Sequence, residues 1–273
     1  MRGWWQDFTD LLLPAECAGC GRSRTVLCPR CRAVLGGSAP LRVRPRPAPA
    51  GLPPVHAAAP YGDEVRAALL AHKERGALAL AGPLGAALAG AVRAALRAAG
   101  ADGRAGPVLL VPVPSARRAV RARGHDPARR IALAAAGELR RTGTGARVLA
   151  VLRQRRAVAD QSGLDARERL ANLAGALEVV AGGARLLRAG PIVLVDDLMT
   201  TGATLGEAAR AVRSAVYAAR VWEETGGQAA GRQGRDGNPV HCTARGMGAR
   251  EAGDVLCAAV VASSPDSFEI NRN

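Results

Sequence analysis

The sequence predicts an α/β protein, a parallel sheet flanked by helices and preceded by a small four-cysteine module. Three observations carry that expectation. Short continuous apolar runs alternate with segments of helical period along most of the 273 residues. The stretch Ile192-Val193-Leu194-Val195-Asp196-Asp197-Leu198-Met199-Thr200-Thr201-Gly202-Ala203-Thr204 passes from an apolar run through two acids into a hydroxyl-rich turn. Near the amino terminus, Cys17-Ala18-Gly19-Cys20 is followed by Cys28-Pro29-Arg30-Cys31.

Taken in order, residues 4–13 place Trp4, Trp5, Phe8, Leu11 and Leu12 on one helical face, which is expected to pack on the body of the protein. Asp7 and Asp10 interrupt that face and no basic face accompanies it, which argues against a membrane anchor. Residues 11–37 form the cysteine module. Two Cys-x-x-Cys knuckles bring the thiolates of Cys17, Cys20, Cys28 and Cys31 within reach of one tetrahedral Zn2+, and four protein ligands make a closed, structural site. Two disulfides are the weaker alternative, because no secretory signal is visible and cysteine usage points to a reducing cytoplasm. Residues 38–54, with Leu41-Arg42-Val43-Arg44-Pro45-Arg46-Pro47, read as an extended, solvated linker.

The main domain is expected over 55–262. The Ala/Gly stretch 76–92 lacks charge, but Pro83, its glycines and the weak hydropathy of alanine predict a buried helix pair rather than a membrane span. There follow a strand at 108–113, a helix near 126–140, a strand at 147–152, a helix near 165–173, strands near 176–181 and 191–196, and a helix over 204–220. Residues 223–252 read as a disordered insertion, rich in Gly, Arg, Gln and Glu. A last strand resumes at 254–261 with Cys257 in the core, and 263–273 is a tail. His241-Cys242 is too weak a pattern for a second metal site.

The chemistry concentrates where the apolar run meets Asp196. In a parallel sheet, sites form at the carboxyl ends of strands, and the free amides of a following helix attract an anion. The hydroxyls of Thr200, Thr201 and Thr204 and the flexible backbone at Gly202 suit a phosphate. Adjacent carboxylates would repel that phosphate unless they bind ribose hydroxyls or hydrated Mg2+. No Gly-Lys-Ser/Thr ending is present, so this is not a nucleotide P-loop.

The motif resembles the 5-phosphoribosyl-1-pyrophosphate (PRPP) motif of type I phosphoribosyltransferases. Joined to a zinc-ribbon module, and with Tyr61-Gly62, Lys73, Pro112-Val113-Pro114, Arg123-Gly124-His125, Gln161-Ser162-Gly163-Leu164, Arg169 and Asn172 in order, the chain resembles the ComF family over about residues 11–216. That resemblance implies a type I phosphoribosyltransferase-like domain that binds PRPP or a related ribose phosphate with Mg2+. Asp196 and Asp197 would hold the ribose hydroxyls, and Thr200, Thr201, Gly202, Ala203 and Thr204 the 5′-phosphate. It further implies a part in natural competence, through partner proteins of the uptake machinery or contact with single-stranded DNA. Asp126-Pro127 departs from the family's usual Asn-Gln, and His125 stands where an aromatic is usual.

The net charge of +15 rests almost wholly on arginine, with Lys73 the only lysine, while aromatics at 3% leave no base-stacking platform. Beyond the linker, the arginines cluster at Arg117, Arg118, Arg121 and Arg123, after the strand at 108–113, and at Arg153, Arg155 and Arg156. Arg118, Arg123 and Gly124 are expected on the pyrophosphate side of the pocket. Gln161 and Arg169 are expected to order a closing loop. No residue stands out as a general base.

Overall fold

The computed structural model describes residues 16–103, 106–156, 173–224 and 256–268. In chain order its elements are α1 (Pro29–Gly36), β1 (Leu41–Val43), β2 (Val55–Pro60), α2 (Asp63–Glu74), α3 (Ala81–Ala98), β3 (Val108–Pro112), α4 (Arg117–Arg123) and α5 (Pro127–Arg141). They continue with β4 (Ala146–Val148), β5 (Leu152–Gln154), β6 (Leu177–Val179), α6 (Gly183–Leu186), β7 (Ile192–Met199), α7 (Ala203–Glu224) and β8 (Leu256–Ser263). Six strands make one mixed sheet in the order β1-β2-β8-β7-β3-β4, in which every pairing but β1–β2 is parallel.

The continuous Val, Leu, Ile and Ala runs of β2, β3, β7 and β8 require cover on both faces. One face buries Val193, Val195, Ala259 and Val261 under α2, α3 and α5 together with Leu27 and Leu35 of the cysteine module. The other buries Leu194, Val111 and Val260 under Leu205, Ala208 and Val212 of α7. Cys257 lies in the first of these layers, 1% exposed, and burial pushes its thiol up to about 12, so it behaves as a small core apolar residue.

Several elements differ from expectation for identifiable reasons. The stretch expected as a helix pair is a short 3-10 turn (Leu78–Leu80) leading into the single helix α3. Pro83 falls in the first turn of α3, where its missing N–H costs nothing. Leu78–Ala98 is long and apolar enough to cross a membrane, but 56% of that window is buried, against α5, β2 and β8. The strand expected at 147–152 is two: β4 joins the main sheet, and the chain then turns away so that β5 pairs antiparallel with β6 as a separate ribbon. The linker is extended but not solvated along its length, because β1 pairs antiparallel with the open edge of β2 and Val43 bridges to Phe268 of the tail. The expected helix at 4–13, the 157–172 stretch with Gln161, Arg169 and Asn172, and nearly all of 223–252, with His241 and Cys242, lie outside the described residues.

Helices α3 and α5 cross closely at Gly85. A Cβ there would sit 2.5 Å from Ala134 Cβ and 2.8 Å from the backbone nitrogen of Ala135. Gly85→Ala is expected to cost about 2 kcal/mol net, since overpacking against backbone outweighs the ~1 kcal/mol gain in helix propensity. Urea unfolding checks this, and a neutral or stabilising result would mean that the two helices can separate freely.

Candidate functional site

A cleft of about 510 Å3 opens at the carboxyl ends of β3 and β7. The apolar run of β7 ends in the site because the strand continues through both acids to Met199, with Asp196 in register with Val260 of β8. Alternation along the strand then separates the neighbouring acids. Asp197, like Val193 and Val195, belongs to the α2 side of the sheet, whereas Asp196 follows Ile192 and Leu194 on the α7 side.

Asp197 is buried and forms an ion pair with Lys73, Nζ to Oδ2 at 3.4 Å. The Asp197 carboxylate in turn holds the Lys73 ammonium above its ordinary pKa, more than offsetting the lysine's burial. Asp196 is half-buried, and its Oδ1 accepts the Asp197 N–H at 2.8 Å. Burial, together with the Asp197 charge, pushes the Asp196 carboxyl well above the usual carboxylate range.

Asp196, Asp197, Thr200 and Thr204 line one cleft with Lys73, Arg118 and Arg123. Among the described residues, no protein carbonyl accepts the N–H groups of Thr200, Thr201, Gly202 or Thr204, so the start of α7 keeps its anion-binding donors. The rest of the turn serves the fold. The Thr201 hydroxyl accepts the Ala203 N–H at 3.4 Å as a helix cap, and Ala203 packs against Leu173 and Ala176. Gly202 has φ +74°, and a Cβ on it would lie 3.1 Å from Leu52 Cδ2 and 3.3 Å from Pro45 Cγ. The left-handed φ therefore favours glycine there, and an added Cβ would press on Leu52 and Pro45.

On the opposite wall, Arg118 and Arg123 line the cleft, but Arg117 and Arg121 do not. Arg123 is held by Glu74, Nε to Oε2 and Nη2 to Oε1, both at 2.8 Å. Gly124 does not line the cleft; it ends α4 in the left-handed region at φ +77°. His125 is buried beneath the wall, with its ring nitrogens against the Arg123 and His72 carbonyls, each at 3.2 Å, so it braces α4 against α2. Asp126 caps α5 through the Arg129 N–H and also accepts the Ser115 N–H at 3.2 Å, fixing the loop after β3.

The β5–β6 ribbon supplies Gln154 and Leu177 to the cleft. It is clamped to α7 by buried Glu207, which accepts the Leu177 N–H at 3.0 Å, and by Arg210, which donates to the Leu177 carbonyl. Burial opposes a charge on Glu207, but the Arg210 guanidinium and the Leu177 N–H outweigh it and hold that carboxyl below its ordinary pKa. Sequence reasoning placed neither Glu74 nor Gln154 in the site, and treated Lys73 only as a landmark. Its status as the only lysine was the one available signal.

The second site is the cysteine cluster. The ligand atoms of Cys17, Cys20, Cys28 and Cys31 all lie within 4.8 Å of one another, and three of the four residues are buried. Cys20 and Cys28 sulfurs are 3.6 Å apart, too far for a disulfide. The cradle fits an ion: a Cβ on Gly19 would meet Cys31 Sγ at 2.8 Å, and the Cys28 N–H donates to Cys17 Sγ at 3.2 Å. Burial opposes ionisation of the Cys17 thiol, yet the Cys28, Cys20 and Gly19 amides bring it down to about 6. Burial and its neighbouring thiols drive the Cys31 thiol far up. These four cysteines are positioned to bind a metal ion, and an all-sulfur tetrahedral set is consistent with structural zinc. No family model matches the chain, and no curated protein matches its sequence.

Proposed function

We propose that the protein binds a phosphorylated pentose, PRPP, in the cleft at the end of β7, and that it is a ComF-like, type I phosphoribosyltransferase-like protein of the cytoplasm with a structural Zn2+ in its cysteine module. The observation that carries this reading is the convergence of two adjacent acids, two threonines, the bare amides at the start of α7 and two arginines on one cleft. In this arrangement the start of α7 with Thr200 and Thr204 takes the 5′-phosphate, and Asp196 and Asp197 accept hydrogen bonds from the ribose hydroxyls. Arg118 and Arg123 face the pyrophosphate.

The reaction that fits is displacement of pyrophosphate from the anomeric carbon by a nitrogen nucleophile, through an oxocarbenium-like ribose. The two arginines offset charge growing on the leaving group. The carboxylate oxygens of Asp196, and those of Asp197 once freed from Lys73, are hard donors that would hold Mg2+, which when bound would further neutralise that charge. The cellular role that goes with the ComF likeness is competence-linked DNA uptake. Titration calorimetry with PRPP and Mg2+ tests the binding, and release of pyrophosphate across a panel of nucleobases distinguishes an enzyme from a sensor that binds partner proteins.

On this reading Glu74 competes with the pyrophosphate for Arg123. Glu74→Gln is expected to tighten pyrophosphate binding about two- to fivefold, the worth of an exposed ion pair. Weaker binding of pyrophosphate in calorimetry would show that Glu74 instead holds Arg123 in its working position.

A further inference from the structure

Two carboxylates and a phosphorylated ligand in one cleft need positive charge close to the acids, and the chain places its only lysine there. Resting on the phosphopentose reading, we infer that the Lys73 ammonium is a built-in cation of the site, so that PRPP binds to the Asp196–Asp197 wall without a divalent metal.

The geometry supports this in three ways. Lys73 lies in the last turn of α2, and its Nζ is 3.4 Å from Asp197 Oδ2, the cleft-lining carboxylate that an incoming metal would need. The lysine side chain is 36% exposed against 10% for that of Asp197, and both residues line the cleft. An ammonium carries three donors, and one ion pair leaves others for a ligand oxygen. Lys73 is a positioning residue here: it neutralises the acids while they accept hydrogen bonds from the pentose, and adds to the positive charge of Arg118 and Arg123 across the cleft. Mg2+ seldom sheds its waters and is commonly held by one or two carboxylates together with ligand phosphates. With Asp197 already paired, a metal at the acids has to displace the ammonium or dock through Asp196 alone.

The test is PRPP titration into the full-length protein in buffer freed of Mg2+ over chelating resin, with no soluble chelator, so that the cysteine-bound metal stays in place. Wild type is expected to bind PRPP with an affinity within about threefold of that measured with Mg2+. Lys73→Met is expected to lose about tenfold or more without Mg2+ and to regain most of it when Mg2+ is added. Lys73→Arg keeps the charge and is expected to keep Mg2+-independent binding; circular dichroism establishes that each variant is folded. Wild-type binding only in the presence of Mg2+ overturns the inference and leaves the phosphopentose reading standing. So does unchanged metal-free binding by Lys73→Met. Failure of wild type to bind under either condition removes both.

Discussion

Stripping the metal from the cysteine cluster is expected to lower the thermal midpoint of the whole protein by about 10 °C, with one ion released per chain. The reason lies in shared packing. Leu27 and Leu35 of the module and the buried Cys17, Cys28 and Cys31 belong to the same apolar layer as Leu69, Leu84 and Leu88 of α2 and α3. Structural zinc in small modules contributes about 10–16 kcal/mol of apparent binding free energy, and metal bound by the unfolded cysteines reduces the share that stabilises the fold. A net loss of about 3 kcal/mol shifts the midpoint of a domain of this size by about 6–12 °C. Without the ion, the burial-raised Cys31 thiol and its neighbours cannot all be thiolates at neutral pH, so the cluster loses both its charge complement and its geometry. Calorimetry with and without chelator, alongside elemental analysis for zinc, measures it. An unchanged midpoint after complete metal release would mean that α1 packs equally well without its ligand.

Replacing Asp196 and Asp197 together by alanine is expected to weaken PRPP binding at least about a hundredfold, about 2.7 kcal/mol, by removing charge-assisted acceptors for the ribose hydroxyls. Because the double change also strips Lys73 of its counter-charge, the matched Asn pair, which loses the same charge but keeps shape and oxygen acceptors, separates loss of charge from loss of shape. A single Asp196→Asn separates binding from stability. The folded-state pKa of Asp196 is raised, so the unfolded chain gives up this proton at lower pH than the native one does. The contribution of Asp196 to native stability therefore falls as pH rises from about 4 through the raised value, and its cost is absent below about pH 4. Asp196→Asn is expected to raise the thermal midpoint at neutral pH, to lose that advantage in acid, and still to bind PRPP poorly. Its amide oxygen can continue to accept the Asp197 N–H. A lower midpoint at pH 7 with intact binding would show that the Asp196 charge is compensated in the free protein and is not held for a ligand.

The parts of this fold that could be read from sequence are those with strong local pattern. The apolar run into Asp196 and the period Leu205, Ala208, Ala209, Val212 place β7 and α7 nearly where they lie, and the knuckle spacing brings the cysteines together. A strand near 176–181 was legible, but the separate β5 and its antiparallel pairing with β6 were not, because strands of three residues show no periodicity and the pairing depends on where Glu207 and Arg210 hold the Leu177 backbone. Arginine composition suggested a cationic wall. It did not reveal that Glu74, 49 residues from Arg123, already neutralises part of it. The Thr201 hydroxyl, Ala203 and Gly124 also meet local backbone needs that the sequence pattern did not show: a cap, a buried contact and a left-handed helix end.

The bend at Gly202 rests on Leu52 and Pro45, and Arg213 donates to the Gly51 carbonyl at 2.6 Å. The stretch that ties the cysteine knuckles to the sheet is thus also the backstop of the turn between β7 and α7. A fragment begun at Val55 would forfeit the seat of that turn along with the strand that seals β2.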